Sequence, residues 1–289
     1  MNQDWNWFFS SFAQSAAELI VIIVAYLISR ILSLSEQVNK LVSKFTDLNL
    51  NYLLLKEKLN SRKFKWYNES IIEKSDLLKK EISKNKFNNL TDRKKIELLY
   101  NIEPTLFKIY ETNLSALNNI ISEFEKKNKQ DVLNYSFNDL DFTTQSFWNT
   151  VQEEKEKINE IKTDVYYNIS NFIINKEEMK SLLVSFTPIK VIISILLITF
   201  PLTVVYPLHF LPQQNGVSPI LIYDPFIIIK TILSLKNMML LGFLIPIEGI
   251  LIYFLFLVSS LKKDLKVTYD LSTDEFIKIE SYSIYLKKD

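Results

Sequence analysis

Two stretches of this 289-residue chain, residues 8–34 and 182–261, are nearly free of charge, while 35–181 is dense in Lys, Glu, Asp and Asn. An α-helix needs about 20 predominantly apolar residues to cross the hydrocarbon core of a bilayer. Lipid offers the backbone no hydrogen-bond partners, so only helices and closed barrels can occupy that core. The sequence therefore predicts an integral membrane protein with a polar body between two apolar regions.

The first apolar segment reads as a retained span and not as a signal peptide. Met1 to Ser10 has no Lys or Arg and includes Asp4, Trp5 and Trp7. The core ends in Ser29-Arg30-Ile31-Leu32, without a small-residue cleavage site. A helix over about 12–34 places Trp5, Trp7, Phe8 and Phe9 as an aromatic belt at one interface, with Arg30 snorkelling toward the other. Towards the C-terminus, 191–211 and 238–260 read as spans, the second followed by Lys262-Lys263-Asp264-Leu265-Lys266. Between them, 219–237 is interrupted by Pro219, Asp224, Pro225, Lys230 and Lys236. Counting it as a full span puts the Lys262–Lys266 cluster opposite Lys180 and Lys190, against the positive-inside rule. Three spans are expected, with 219–237 interfacial or re-entrant on the outer side beside the uncharged loop Pro212 to Ser218; four spans are the alternative.

The expected organisation is an N-terminal transmembrane helix (1–34), a cytosolic helical or coiled-coil domain (35–181), a C-terminal transmembrane region (182–261) and a cytosolic tail (262–289). The expected location is the cell inner (plasma) membrane, as a multi-pass protein with its N-terminus outside and its body and C-terminus in the cytosol.

The expected fold class is all-α. No Pro or Gly occurs before Pro104, and the first Gly is Gly216, whereas β-hairpins depend on such residues for their turns. Ile31, Leu34, Val38, Leu41, Phe45, Leu48, Tyr52, Leu55 and Leu59 follow one another in steps of three and four, the spacing of a heptad seam. The seam suits an intermolecular coiled coil or the core-facing stripe of a helical bundle, since both use one pattern. A helix is expected over about 68–86 (Ile71, Ser75, Leu78, Ile82), ending in the polar stretch Asn85 to Asn89. Another runs from a Thr91-Asp92 cap to Glu103, and a third begins at Pro104 with Leu106, Tyr110, Leu114, Leu117, Ile121 and Phe124. Lys126 to Ser136 reads as a loop. A long helix then runs from about Asp139 toward Lys180, with Trp148, Val151, Ile158, Ile161, Val165, Ile169 and Phe172 on one face. Ser272 to Glu275 caps a short final helix over Phe276, Ile279 and Leu286, ending at Lys287-Lys288, with a strand as the second choice.

The chemical inventory is sparse. Without Cys there are no disulfides, thiolate metal sites or Cys nucleophiles, and the sole His, His209, lies at the outer end of a span. No Walker loop, GxGxxG, HExxH, EF-hand loop or nucleophile elbow occurs. The carboxylates are scattered, and Glu153-Glu154-Lys155-Glu156-Lys157 reads as a solvated helix face. No enzymatic activity, cofactor or metal is expected.

Two acidic residues within the spans stand apart. Glu248 lies between Pro246 and Gly249 midway along 238–260, where an acidic side chain costs about 2.5–3.5 kcal/mol on insertion scales. Pro246 and Gly249 are expected to kink the helix and free carbonyls beside the carboxylate. In the first span, Ser11, Gln14, Ser15, Glu18, Ala25 and Ser29 share a helical stripe opposite the Ile- and Leu-rich face. Around an axis shared by several copies, Glu18 becomes a ring of carboxylates, a device of cation-selective pores. For both residues the alternative is helix packing alone.

The body also divides by charge. Lys56 to Lys95 has 13 Lys/Arg against 6 Asp/Glu, and Ile96 to Lys180 has 9 against 15. Within the basic part, Arg62, Lys63, Lys65, Trp66 and Tyr67 interleave cations with aromatics, as single-strand and nucleotide binders do. Complementarity between a basic and an acidic arm of the same chain is the alternative.

The opening Trp7-Phe8-Phe9-Ser10-Ser11-Phe12-Ala13-Gln14-Ser15-Ala16-Ala17 resembles the start of uncharacterised bacterial membrane proteins, some of which accompany anti-phage defence genes; the similarity covers the first span. The layout, a few spans around a cytosolic helical sensor, resembles that of membrane effectors of abortive-infection systems, which damage the host membrane when triggered. Glu248 and the polar stripe of the first span, together with this layout, lead to the expectation of a homo-oligomeric effector or ion channel in the lipid bilayer. Its cytosolic body is expected to sense a protein or a nucleotide or oligonucleotide trigger and to gate a pore at Glu18 or Glu248. The competing expectation is a membrane-anchored coiled-coil tether or adaptor without transport activity.

Overall fold

The structure, a computed structural model, describes residues 5–130, 142–211 and 234–286. Among the described residues the fold is all-helical, with no strand. Three of its helices are long and apolar enough to cross a membrane. The expected outer loop 212–218, the re-entrant segment over 219–233, residues 131–136 of the expected loop and Lys287-Lys288 lie outside the described residues.

Helix α1 spans Trp5–Asn60 without interruption, so the first apolar segment and the heptad seam are one rod. Helices α2 (Phe64–Lys74), α3 (Asp76–Ser83), α4 (Asp92–Ile102) and α5 (Tyr110–Gln130) follow. Helix α6 covers Phe142–Phe200 and passes through Pro188. A π-helical turn, Pro201–Val205, leads into the short α7, Tyr206–His209. Helix α8, Leu235–Leu271, contains Pro246 and carries the Lys262–Lys266 cluster on its last turns.

The chain divides into two compact units, residues 1–45 with 174–272 and residues 46–173 with 273–289. These boundaries differ from the expected ones at 34, 181 and 261. The long helices continue as rods past the ends of their apolar segments, and the tail is divided at residue 272.

In the first unit, α1, α6 and α8 close on one apolar cluster. Phe9 stacks on Phe210 at 5.4 Å, and Lys44 pairs with Glu178 at 3.5 Å, so α1 runs antiparallel to α6. His209 meets Asn237 at 2.9 Å, while Lys176 lies 5.8 Å from the Tyr269 ring centroid, so α8 is antiparallel to α6 as well. Buried positions recur every seven residues on each rod: Ala13, Ile20, Leu27, Leu34 and Leu41 on α1, Met179, Phe186, Ile193 and Phe200 on α6, and Leu251, Val258 and Leu265 on α8. A seven-residue repeat keeps one face of each helix turned to its partners. All nine seam residues from Ile31 to Leu59 are buried within the chain, so the seam serves as a core-facing stripe. The opposite faces expose large apolar side chains such as Leu19, Val21, Ile22, Val191, Ile198, Ile245 and Phe256. Water-soluble surfaces rarely expose such continuous apolar area.

The second unit holds a core of Ile72, Leu78, Ile82, Phe87, Ile96, Leu99, Leu106, Leu117 and Ile120. The helix expected over 68–86 breaks at Ser75. Its backbone is extended (φ −63°, ψ 114°), its hydroxyl accepts from Leu78 N at 3.1 Å, and it also bonds Glu103. The polar stretch ends α3 as expected, with Asn85 and Asn89 at positive φ of 58° and 62°. Asn tolerates that left-handed region better than other side-chain-bearing residues. Helix α4 starts after Thr91, whose side chain makes no capping bond.

Pro104 does not begin a helix, since α5 starts at Tyr110. A buried amide pair holds the intervening segment instead. Asn68 donates to Phe107 O at 2.7 Å and to Asn113 Oδ1 at 2.8 Å, and Asn68 Oδ1 accepts from Phe107 N at 3.0 Å. Asn113 donates to Phe107 O at 2.9 Å and to Tyr100 Oη at 3.1 Å. The Phe107 ring meets Phe64 and Tyr67 edge-on. Helix α5 also continues through Gln130, so residues 126–130 of the expected loop are helical.

In place of a final helix, the tail forms three 3-10 turns, Asp274–Ile277, Ile279–Ser281 and Ile284–Leu286. They bring Tyr282 into the core, where its hydroxyl accepts from Asn168 Nδ2 at 3.1 Å and donates to Phe276 O at 3.3 Å.

Candidate functional site

The candidate residues within the first unit depend on which way each rod turns. Ala13, Ile20 and Leu27 take the inward face of α1, which leaves Gln14, Ser15, Glu18, Ala25 and Ser29 exposed on its outward surface; Ser11 is half-buried. Gln14 and Glu18 are one helical turn apart, and Gln14 Nε2 donates to Glu18 Oε1 at 3.2 Å. This polar pair has Leu19, Val21 and Ile22 beside it, all exposed.

Glu248 is half-buried at the flank of the inward stripe of α8, and its Oε1 is buried without a hydrogen-bond partner. Pro246 and Gly249 are exposed, and a Cβ at Gly249 or Gly242 would meet nothing within 4 Å. Neither glycine is therefore required for packing within the chain. Helix α8 remains α-helical through Pro246.

The helix contacts fix relative heights within this unit. Glu18 lies nine residues along α1 from Phe9, which stacks on Phe210; Pro201 lies nine residues before Phe210. Glu248 lies eleven residues beyond Asn237, which meets His209. At about 1.5 Å per residue, the three positions fall roughly 13–17 Å from the same end, within about one turn of each other. Glu18, the π-turn and the Pro246–Glu248 segment thus form one level at which every rod departs from a plain apolar helix. Proline at 201 supplies no N–H, and wide turns of this kind leave backbone carbonyls without their usual donors. His209, expected at an interface, closes α7, where its ring meets Asn237 of α8, and Lys236 bonds the His209 and Leu211 carbonyls.

The five candidates of the second unit do not form one surface. Tyr67 is buried, with burial raising its phenol above the usual range, and Trp66 is half-buried with its ring edge-on to Phe147. Arg62 pairs with Glu154 at 3.6 Å, and the Lys63 backbone N–H donates to the same carboxylate at 2.9 Å. Only Lys63 and Lys65 present their side chains fully to solvent. Glu154 therefore joins the basic arm to α6 and does not belong to a solvated face. Its signal was present in the sequence, because position 154 falls three residues after Val151 and four before Ile158, on the buried stripe. Asn168 and Asn175 occupy the same register and are buried, whereas Glu154 is half-buried.

Among the described residues no cluster of His, Cys, Asp or Glu is arranged to hold a metal ion. No protein-family model, no curated protein and no solved structure matches this chain.

Proposed function

We propose that this chain is the subunit of a homo-oligomeric ion-conducting effector of the bacterial inner membrane, gated by its cytosolic helical body and acting in anti-phage defence. In this reading α1, the π-turned end of α6 and α8 are the spans, and the N-terminus lies outside. The observation that supports it best is the Gln14–Glu18 pair, exposed on the outward face of α1 in the first half of its apolar segment. The three-helix core is filled by Leu, Ile and Phe, which leaves an ion no polar route within one chain. A carboxylate turned toward lipid costs about 2.5–3.5 kcal/mol on insertion scales. Assembly of copies around the Ser15–Glu18 stripe removes that cost and turns Glu18 into a ring that attracts cations. Because the heptad seam is filled internally, the subunits meet through the outward stripe and the open Gly242–Gly249 face of α8.

Purified protein in liposomes, with cation flux followed under an imposed gradient, tests this reading. Glu18→Gln preserves size and hydrogen bonding but removes the charge. It is expected to leave assembly intact while cation flux and cation preference fall, by about tenfold if the ring lies in the narrow part of the path. Wild-type flux that is indistinguishable from empty liposomes, or unchanged in the variant, contradicts the proposal.

One observation favours a membrane-anchored adaptor as the second reading. Leu50, Leu53 and Leu54 are exposed together on the polar-body part of α1 and form an apolar patch available to a docking protein. Absence of flux in well-assembled protein gives that reading first place.

A further inference from the structure

A groove of about 640 Å³ runs between α1 and α6 in the first unit, with charged and polar side chains around Leu41 and Leu182, in the size range of small-ligand sites. Its two ends differ chemically. At one end Lys44 is paired with Glu178, with Glu177 alongside. The antiparallel register places Arg30 and Ser185 toward the other end, next to the apolar segments. Between them Gln37, Lys40 and Ser181 line the walls. Among the described residues neither Arg30 nor Lys40 forms an ion pair.

Side chains on a helix lean toward its N-terminus, so Lys40 leans back along α1 toward Arg30. A snorkelling Arg30 extends the opposite way, toward the polar end of its span. Gln37 Nε2 donates to Ser33 Oγ at 3.1 Å and Ser185 Oγ to the Ser181 carbonyl at 3.5 Å, which leaves the Arg30 guanidinium and the Lys40 ammonium, about 15 Å apart along α1, as the charged donors that line the groove. Charged donors give the stronger bonds to anionic oxygens. Lys180 and Lys190 on α6 and Lys262 and Lys263 on α8 add positive charge near the same level, as basic sites between helices do when they hold lipid headgroups.

We propose that this groove binds the headgroup phosphate of an anionic phospholipid, with Arg30 and Lys40 as its charged donors. The acyl chains then lie along the exposed apolar faces of α1 and α6. The inference is independent of ion conduction, since an anchored adaptor could use the same site.

The test uses the full chain in detergent, titrated separately with phosphatidylglycerol, phosphatidylcholine and glycerol 3-phosphate. Bound lipid is read by native mass spectrometry and by the shift in thermal unfolding midpoint. Phosphatidylglycerol is expected to remain bound and raise the midpoint, with phosphatidylcholine and glycerol 3-phosphate having little effect. Arg30→Gln/Lys40→Gln is expected to weaken phosphatidylglycerol binding about tenfold, while Arg93→Gln/Lys94→Gln, which removes the same charge from the exposed surface of α4, keeps it. The single variant Lys40→Gln, whose side chain is exposed, serves if the double variant does not fold. Equal binding of the two lipids, or undiminished phosphatidylglycerol binding in the groove variants, overturns the proposal. A shift with glycerol 3-phosphate equal to that with lipid also overturns it, by assigning the site to a soluble phosphate.

Discussion

Tyr282 shows how one polar residue organises its surroundings. Burial first, and the neighbouring Tyr52 to a smaller degree, push its phenol up to about 12, against a lowering by the Asn168 hydrogen bond. An unfolded tyrosine titrates near ~10, so the fold favours the protonated phenol. That contribution is complete below pH ~10 and is lost as the pH rises through about 12. Thermal melts followed by circular dichroism from pH 8 to 12 should therefore show a steep alkaline loss of stability. Tyr282→Phe removes the hydroxyl and leaves Asn168 short of a partner, so it should cost about 1–2 kcal/mol at neutral pH and flatten the alkaline loss. An unchanged alkaline limit in the variant would mean that other groups govern it. The buried and half-buried polar residues were the least legible part of the sequence. Glu154, Asn168 and Asn175 sit in perfect register with the apolar stripe of α6, but a stripe traced from apolar residues alone passes over them.

The elements themselves were largely legible where periodicity runs long and less so where tertiary contacts override local preference. The seam from Ile31 to Leu59 is read directly from its spacing, and every one of its residues is buried. Spacing alone could not tell whether the covering surface came from another chain or from this one. Leu41 packs in the cluster shared by α1, α6 and α8, and its carbonyl accepts from the buried Asn175 at 3.5 Å. Leu41→Asp therefore places an unpaired charge inside the subunit's own core, at a cost of about 3–5 kcal/mol. Thermal unfolding should fall accordingly even at concentrations where no oligomer forms. Loss of oligomer with unaltered subunit stability would instead return the seam to an intermolecular role. Pro104 illustrates the opposite case. It satisfies every local rule for a helix start, yet the peptide group of Phe107 is held by Asn68, a contact 39 residues distant. Ser75 likewise looked like one face residue among several until its hydroxyl capped the next helix.

At the scale of the whole molecule, the chain places its most expensive polar pair on the outside of a closed three-helix core. Glu18, the π-turn and Glu248 lie at one level of the first unit and the seam is buried within the chain, so under the proposed function the water path forms between copies. The absence of cysteine from the natural sequence makes this directly measurable. Ser15→Cys introduces a single thiol on the outward stripe, and Ala13→Cys introduces one on the buried face as its control. In protein-containing liposomes, the test is the rate at which a charged, membrane-impermeant thiol reagent modifies each position, followed together with cation flux. The account predicts rapid modification at position 15 with concurrent block of flux, and none at position 13. A thiol at position 15 that stays unreactive toward the charged reagent, with flux unaffected, would show that the stripe faces lipid or packed protein and would contradict the account.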